Sequence, residues 1–308
     1  MTSKTLAMFP GQGSQYVGMG KKLFELFPKI AKVTFEEAED AVGVSLTKLC
    51  LEGPEDDLKL TKNTQPCLLA HSIATWNVLV EEKGFSPDVF AGHSLGEYSA
   101  LVAANVLDLG RAAFLVRKRG EAMQEAVPVG LGSMAAVMNL AAEQLEALCS
   151  ATSKTESIVQ IANYNSPQQL VIAGHTDAVD RACDELEKQG VRFVKLAVSA
   201  PFHSKLMLPA REKMAPLLQE SKFGNPSGQL IANTTGSITN NYDANFLIEQ
   251  INSPVKWTQT LGTAHEIGCE SFLEVGPGKV LFGLARKTLP RGLKLASTDD
   301  IEKALSEL

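Results

Sequence analysis

The stretch Ala91-Gly92-His93-Ser94-Leu95-Gly96-Glu97 decides how the rest of the chain is read. A short apolar run, Val89-Phe90-Ala91, leads into it, and a helix-compatible run from Tyr98 to Asn105 leads out. That context predicts a strand, a very tight turn and a helix, with a serine at the apex and glycines two residues to either side. A serine on so sharp a turn has strained backbone angles, and strand and helix must approach without Cβ atoms between them. The turn exposes the hydroxyl and aims the next backbone N–H, from Leu95, at a carbonyl oxygen attacked by Ser94. A bare G-x-S-x-G occurs by chance in many proteins. Its strand–turn–helix setting makes Ser94 the candidate nucleophile.

Working outward, the first apolar run, Leu6-Ala7-Met8-Phe9, ends in Pro10-Gly11-Gln12-Gly13-Ser14-Gln15, a strand running into a glycine-rich loop. No Gly-Lys-Ser/Thr follows and there is no G-x-G-x-x-G, so phosphate binding is not indicated. A loop of backbone N–H groups can equally stabilise an oxyanion. Residues 23–51 and 66–83 show helical periodicity, the second with Leu68, Leu69, Ile73, Trp76, Leu79 and Val80 on one apolar face. Helix continues past the serine turn to about residue 126. After residue 199 a helix to about 220 and strands at 229–233, 270–275 and 292–297 are expected. Helices alternating with short buried strands predict a layered α/β core.

Between about 128 and 198 the pattern changes. Strands are expected at 133–138, 158–164, 169–173 and 191–197, with Asn165-Ser166-Pro167 as a turn and helices at 141–149 and 176–189. That βαββαβ order is the split arrangement of a ferredoxin-like unit. The expected organisation is a large hydrolase-like α/β subdomain with a parallel-sheet core, residues 1–127 and 199–308. A small ferredoxin-like subdomain, residues 128–198, is inserted into it.

The 308 residues suffice for one large core plus a smaller inserted one. A net charge of −6 argues against nucleic acid as the main partner, since phosphate binding wants a basic face. The opening segment from Met1 has no apolar run long enough for a signal peptide before Pro10, and no stretch approaches a membrane span. Five widely spaced cysteines with no C-x-x-C read as buried thiols in a reducing compartment, so neither a disulfide framework nor a metal site is expected. The expectation is a cytoplasmic monomer.

A serine hydroxyl needs a base within hydrogen-bond reach. Of the five histidines, His93 should point away from the hydroxyl it precedes, and His71 and His265 sit in helical patterns. His175 opens a helix, as a cap or surface residue. His203, in Ser199-Ala200-Pro201-Phe202-His203-Ser204, lies where the small unit returns to the large one, the place a cleft forms. It is the favoured base.

Five segments carry a family resemblance: Pro10-Gly11-Gln12-Gly13-Ser14-Gln15, Gly92-His93-Ser94-Leu95-Gly96-Glu97-Tyr98-Ser99, Arg119-Gly120, Ala200-Pro201-Phe202-His203-Ser204 and Glu274-Val275-Gly276-Pro277-Gly278. In this order, over nearly the whole chain, the sequence resembles the malonyl-CoA:acyl carrier protein transacylases. The resemblance implies transfer of malonyl from coenzyme A to the phosphopantetheine thiol of acyl carrier protein for fatty acid synthesis, without a cofactor. It implies a Ser94–His203 dyad, an oxyanion hole from the Gln12 and Leu95 N–H groups, and Arg119 on the malonyl carboxylate. A guanidinium fork suits that task better than a lysine. Read alone, Arg119 beside Arg117 and Lys118 would pass for a solvated helix face. The resemblance further implies that the Gln250 backbone carbonyl orients His203. Phe202 resembles the malonyl-selecting aromatic of polyketide acyltransferases, which crowds an α-methyl branch. An α/β-hydrolase esterase would place its histidine after the last strands, and no histidine follows His265. An acyltransferase loading polyketide carrier proteins is the alternative. Arg286, Lys287, Arg291 and Lys294 form a cationic run without an intervening acid, an expected meeting place for an acidic carrier protein.

Overall fold

The computed structural model describes residues 3–198, 200–239 and 241–308. The expected domain boundary at Ser199, and Met1 and Thr2, lie outside the described residues. The strands are β1 (Lys4–Phe9), β2 (Val89–Gly92), β3 (Gly132–Met138), β4 (Val159–Ser166), β5 (Gln169–His175), β6 (Phe193–Lys195), β7 (Gln229–Ile231), β8 (Ile238–Thr239), β9 (Cys269–Glu274) and β10 (Lys294–Ser297). They form two sheets. The larger has the order β10-β9-β1-β2-β7-β8, parallel except for the short β8, which turns back on β7 and was not expected from sequence.

Parallel strands covered on both faces need apolar side chains at successive positions. Leu6-Ala7-Met8-Phe9 supplies them, each fully buried. Alternate residues feed opposite layers. Ala7, Phe9 and Phe90 pack against the helices Thr61–Lys83 and Leu109–Glu125. Leu6, Met8, Val89 and Ala91 pack on Trp257, Leu261 and Leu284. The register sets Phe9 beside Gly92, and β7 follows next to β2. The loops after β1, β2 and β7 therefore leave the sheet side by side at its carboxyl edge, where open α/β sheets bind ligands.

Three helical expectations are corrected. The 23–51 stretch breaks into Lys21–Leu26, Pro28–Val42 and Leu46–Glu52, with Gly43 at φ 72° stopping the second. The stretch through 126 divides into Gly96–Ala103 and Leu109–Glu125, separated at Asn105, whose φ is 63°. Helix Thr61–Lys83 is buried on most sides, so it has no single apolar face, and Val80 points to solvent.

The smaller sheet, order β4-β5-β3-β6, is antiparallel throughout and carries the helices Ala142–Thr152 and Thr176–Lys188 in βαββαβ succession, a ferredoxin-like unit. Ile161, Ile172, Leu145, Val179 and Leu186 fill its own core. Met134, Ala136, Val171 and Ala173, on the opposite face, join the main core instead. The backbone ties β4 to the large unit: Val255 N–H donates to Ala162 C=O, and Tyr164 N–H to Val255 C=O, each at 2.9 Å. β4 runs on through Ser166, so the turn expected at 165–167 begins later, and β6 is shorter than the expected 191–197.

His175 stands at the N-cap position of the helix Thr176–Lys188 but makes no side-chain capping bond; its Nδ1 accepts from Ile158 N–H at 3.1 Å. All five cysteines are free and buried. Among the described residues, no helix is long and apolar enough to cross a membrane.

Candidate active site

Ser94 stands at the end of β2 with φ 53°, a left-handed conformation costly for a side chain larger than glycine's. Its glycine neighbours make the turn buildable: a Cβ on Gly92 would collide with the Gly96 backbone, and one on Gly96 with Phe9 C=O. Ser94 Oγ lies 2.6 Å from His203 Nε2. His203, itself at φ 57°, presents Nδ1 to two carbonyls, Gln250 at 3.0 Å and Ser253 at 3.2 Å. Carbonyls only accept, so Nδ1 carries the proton and Nε2 is the bare nitrogen facing the serine. Burial, then the positive charge of Arg119, push the imidazole pKa down to about 3. It stays neutral, as a base must.

The Ser94 N–H is taken by Asn233 Oδ1 at 2.7 Å. The N–H groups of Gln12 and Leu95 have no acceptor among the described residues, which leaves both free to receive an oxyanion. Arg119 is not on a solvated face. It is 1% exposed, brought inward because Gly120 lets its helix ride closely over the backbone of Thr61 and Lys62. Its Nη1 donates to Gln65 Oε1 at 2.8 Å, and its Nη2 to Ser94 Oγ at 3.0 Å and Gln250 Oε1 at 2.8 Å. Among the described residues the buried Nε–H has no acceptor and no carboxylate pairs with the guanidinium. A buried cation without an anion is costly. It is the arrangement of a site that receives one.

A cavity of ≈ 190 Å³ opens over these groups. Gln12, Ser94, Arg119 and His203 form its floor. The small unit contributes Met134, Val171 and Asn163 to its wall, and Phe202 lines it together with the histidine. Val280, Leu281 and Leu284, from the helix Val280–Thr288, close a third side. That helix is pinned by Glu274, whose carboxylate accepts from the Leu281 and Phe282 N–H groups at 3.0 and 2.8 Å and satisfies donors its first turn leaves open.

Residues 8–304 match the acyl transferase domain family. The chain is 43% identical over 303 residues to the malonyl CoA-acyl carrier protein transacylase of Bacillus subtilis strain 168, covering 97% of this chain and 95% of that one. It belongs to the malonyl-CoA:acyl carrier protein transacylase family. Among solved structures, the acyl carrier protein S-malonyltransferase from Vibrio cholerae superposes with a TM-score of 0.94 at 41% identity, over 99% of this chain and all of that one. A malonyl-transacylase solved in complex with a holo type II polyketide acyl carrier protein superposes at 0.93 with 41% identity, over 99% and 100% of the two chains.

In this transacylase the seven site residues singled out from sequence converge: Ser94, His203, Arg119, Gln12, Leu95 and Phe202 on one cavity, with Gln250 behind the histidine. His93 points away from the hydroxyl, its Nε2 paired to Asn165 Oδ1 at 2.9 Å. Three residues were missed. Gln65 and Glu97 are polar groups at 1% and 2% exposure, and Asn233 is wholly buried. Asn233 follows the parallel strand β7, the same carboxyl-edge position that gives Gln12 and Ser94 their roles, and this was the available signal. Glu97 lay inside the serine motif but read as a first-turn acid favoured by the helix dipole. Nothing in the sequence sets Gln65 apart from other helix-face glutamines.

Proposed function

We propose that the chain performs malonyl transfer from coenzyme A to acyl carrier protein through a malonyl-serine on Ser94, with the other site residues in the following roles. His203 Nε2 takes the Ser94 proton as Oγ attacks the malonyl thioester carbon. The oxygen that becomes negative lies between the Gln12 and Leu95 N–H groups. As the C–S bond breaks, His203 returns its proton to the coenzyme A sulfur. In the second half-reaction the phosphopantetheine thiol gives its proton to His203 and attacks the malonyl ester, and Ser94 recovers the proton. One thioester is exchanged for another, so atoms and electrons balance without a metal or redox cofactor. Two carbonyls suffice behind the histidine because a thiol is an easier leaving group than an amine, and burial already keeps Nε2 unprotonated.

The observation that carries the reading is Arg119: a buried guanidinium beside the nucleophile, with an unsatisfied N–H and, among the described residues, no carboxylate in direct contact. A malonyl carboxylate supplies both the charge and the acceptor. Phe202, which lines the cavity next to His203 in sequence, is the side chain placed to crowd a branch on the acyl carbon.

Carrier protein is expected to dock at the end of the helix Val280–Thr288. Its first residues line the cavity, and Arg286 and Lys287 at its last turn are exposed and pair with no carboxylate among the described residues. The solved polyketide complex is as similar to this chain as the Vibrio cholerae enzyme. Loading of polyketide carriers therefore stays as the second reading.

The test is sequential. Enzyme acylated by malonyl-CoA and freed of nucleotide should hand its malonyl group to phosphopantetheinylated carrier protein and not to the apo form. Transfer that occurs only when malonyl-CoA and carrier are present together would rule out the covalent intermediate.

A further inference from the structure

We propose that Glu97 is a positioning residue for the acyl carboxylate: through the Gln250 side-chain amide it fixes the direction in which Arg119 presents its donors. The proposal rests on the reading of Arg119 as the carboxylate receptor.

Glu97 sits on the first turn of Gly96–Ala103, facing away from the cavity, 2% exposed, and touches no substrate-facing atom. Both its oxygens are occupied. Oε1 accepts from Asn233 N–H at 2.9 Å and Oε2 from Gln250 Nε2 at 2.6 Å. The second contact decides the amide's orientation. A glutamine can turn either end outward, but Gln250 Nε2 is claimed twice, by Glu97 and by Ser94 C=O at 2.8 Å. Ser94 C=O can only accept, and both Glu97 oxygens face N–H donors, so Glu97 accepts here as the carboxylate even though burial raises its pKa to about 7. Gln250 Oε1 is therefore left to face Arg119 Nη2. With Gln65 Oε1 on Nη1, two amide oxygens hold the guanidinium like a pair of stops. Remove the acceptor at position 97 and the amide is free to turn its NH₂ towards Arg119, donor against donor.

Charge is the competing explanation, since an anion near Arg119 also weakens its pull on a substrate carboxylate. Among the described residues Glu97 makes no ion pair with the guanidinium; Gln250 stands between them, bonded to each. Loss of the charge alone would strengthen the pull on a malonyl carboxylate, whereas loss of the stop weakens it, so the sign of the effect tells field from direction.

Glu97→Gln separates the two arms. The remaining oxygen still receives the Asn233 N–H, whose backbone position is fixed, while the new NH₂ opposes Gln250. Malonyl-Ser94 formation from malonyl-CoA should fall about 10- to 100-fold in kcat/KM, as expected for one frustrated buried hydrogen bond of about 1–3 kcal/mol. Acetyl-Ser94 formation from acetyl-CoA should change by less than about threefold, because an acetyl group makes no demand on Arg119. In an Arg119→Ala background Glu97→Gln should add nothing to the malonyl loss. Equal losses on the two acyl groups, no loss, or an undiminished effect without Arg119 would overturn the proposal. Should Glu97→Gln fail to fold by circular dichroism, Glu97→Ala removes the same acceptor from Gln250 without placing a donor against it. It must show the same malonyl-selective loss, and an unselective one would equally overturn the proposal. Arg119→Ala alone reports on the parent reading: if it is unselective, that reading fails first.

Discussion

The floor and the wall of the cavity are built on opposite plans. The floor comes from the carboxyl edge of the parallel sheet, and nearly every polar atom there is held by another. Ser94, His203, Asn233, Gln250, Arg119 and Glu97 form one connected set of hydrogen bonds, with the two dyad residues in left-handed backbone conformations. The wall comes mostly from the antiparallel sheet of the small unit. Met134 and Val171 there present side chains set by core packing, with ordinary strand geometry. The floor fixes directions and charges, so single-atom changes there should be felt as chemistry. The wall fixes volume, so changes there should be felt as choice of substrate.

The sharpest break in that contrast is the nucleophile. Ser94→Ala should lower malonyl transfer by at least about 10⁴-fold with the fold retained, and His203→Ala by about 10³-fold. Transfer within about tenfold of wild type in Ser94→Ala would place the chemistry elsewhere. The same histidine gives a pH signature. Because burial holds its pKa near 3 in the free enzyme, against an ordinary 6.5, Nε2 remains a competent base as pH falls through 6. Single-turnover acylation should lose its rate well below pH 6.5 and not at it.

Next in size is Arg119→Ala. Stranding a malonyl carboxylate in a desolvated cleft costs about 2–5 kcal/mol, a loss of roughly 30- to 5,000-fold in malonyl acylation. Acetyl acylation should hold or rise. Equal losses on both substrates would move Arg119 from the floor's chemistry to its scaffolding.

Changes on the cavity's sides sharpen the contrast from the other direction. Phe202→Ala should leave malonyl transfer within a few-fold while raising methylmalonyl transfer about tenfold, the scale on which a methyl-sized space discriminates. Tested as competing thioesters, an unchanged ratio would show that Phe202 does not crowd the branch. The smallest effect is expected outside the cavity. Reversing Arg286 and Lys287 to Glu should slow transfer to carrier protein several-fold at low salt, fading as salt rises, with malonyl-Ser94 formation unaffected. A matched, salt-independent loss in both half-reactions would remove this patch from the docking surface.

The same division explains what could be read from sequence. The serine turn was legible because its glycines answer a local demand, the approach of strand, helix and neighbouring loop within a few residues. The βαββαβ unit was legible because period and turn residues repeat within a single short segment. Arg119 was not, since Arg117-Lys118-Arg119 looks like any solvated run; its burial depends on Gly120 meeting a helix more than fifty positions earlier. Asn233 and Gln65 depend likewise on which elements become neighbours. The helix breaks at Gly43 and Asn105 were missed because single left-handed residues interrupt runs whose apolar spacing carries straight across them. β8, only two residues long, offers no period at all.

The central claim is that the floor makes an acyl-serine and that a cation there chooses the acyl group. Intact-protein mass spectrometry after exposure to equal malonyl-CoA and acetyl-CoA, followed by peptide mapping, tests both at once. The expected result is one malonyl group per chain, on Ser94, with little acetyl. With Arg119→Ala the balance should move to acetyl on the same serine. A stable adduct on any other residue, or equal malonyl and acetyl occupancy of Ser94 in the unaltered enzyme, would contradict the account.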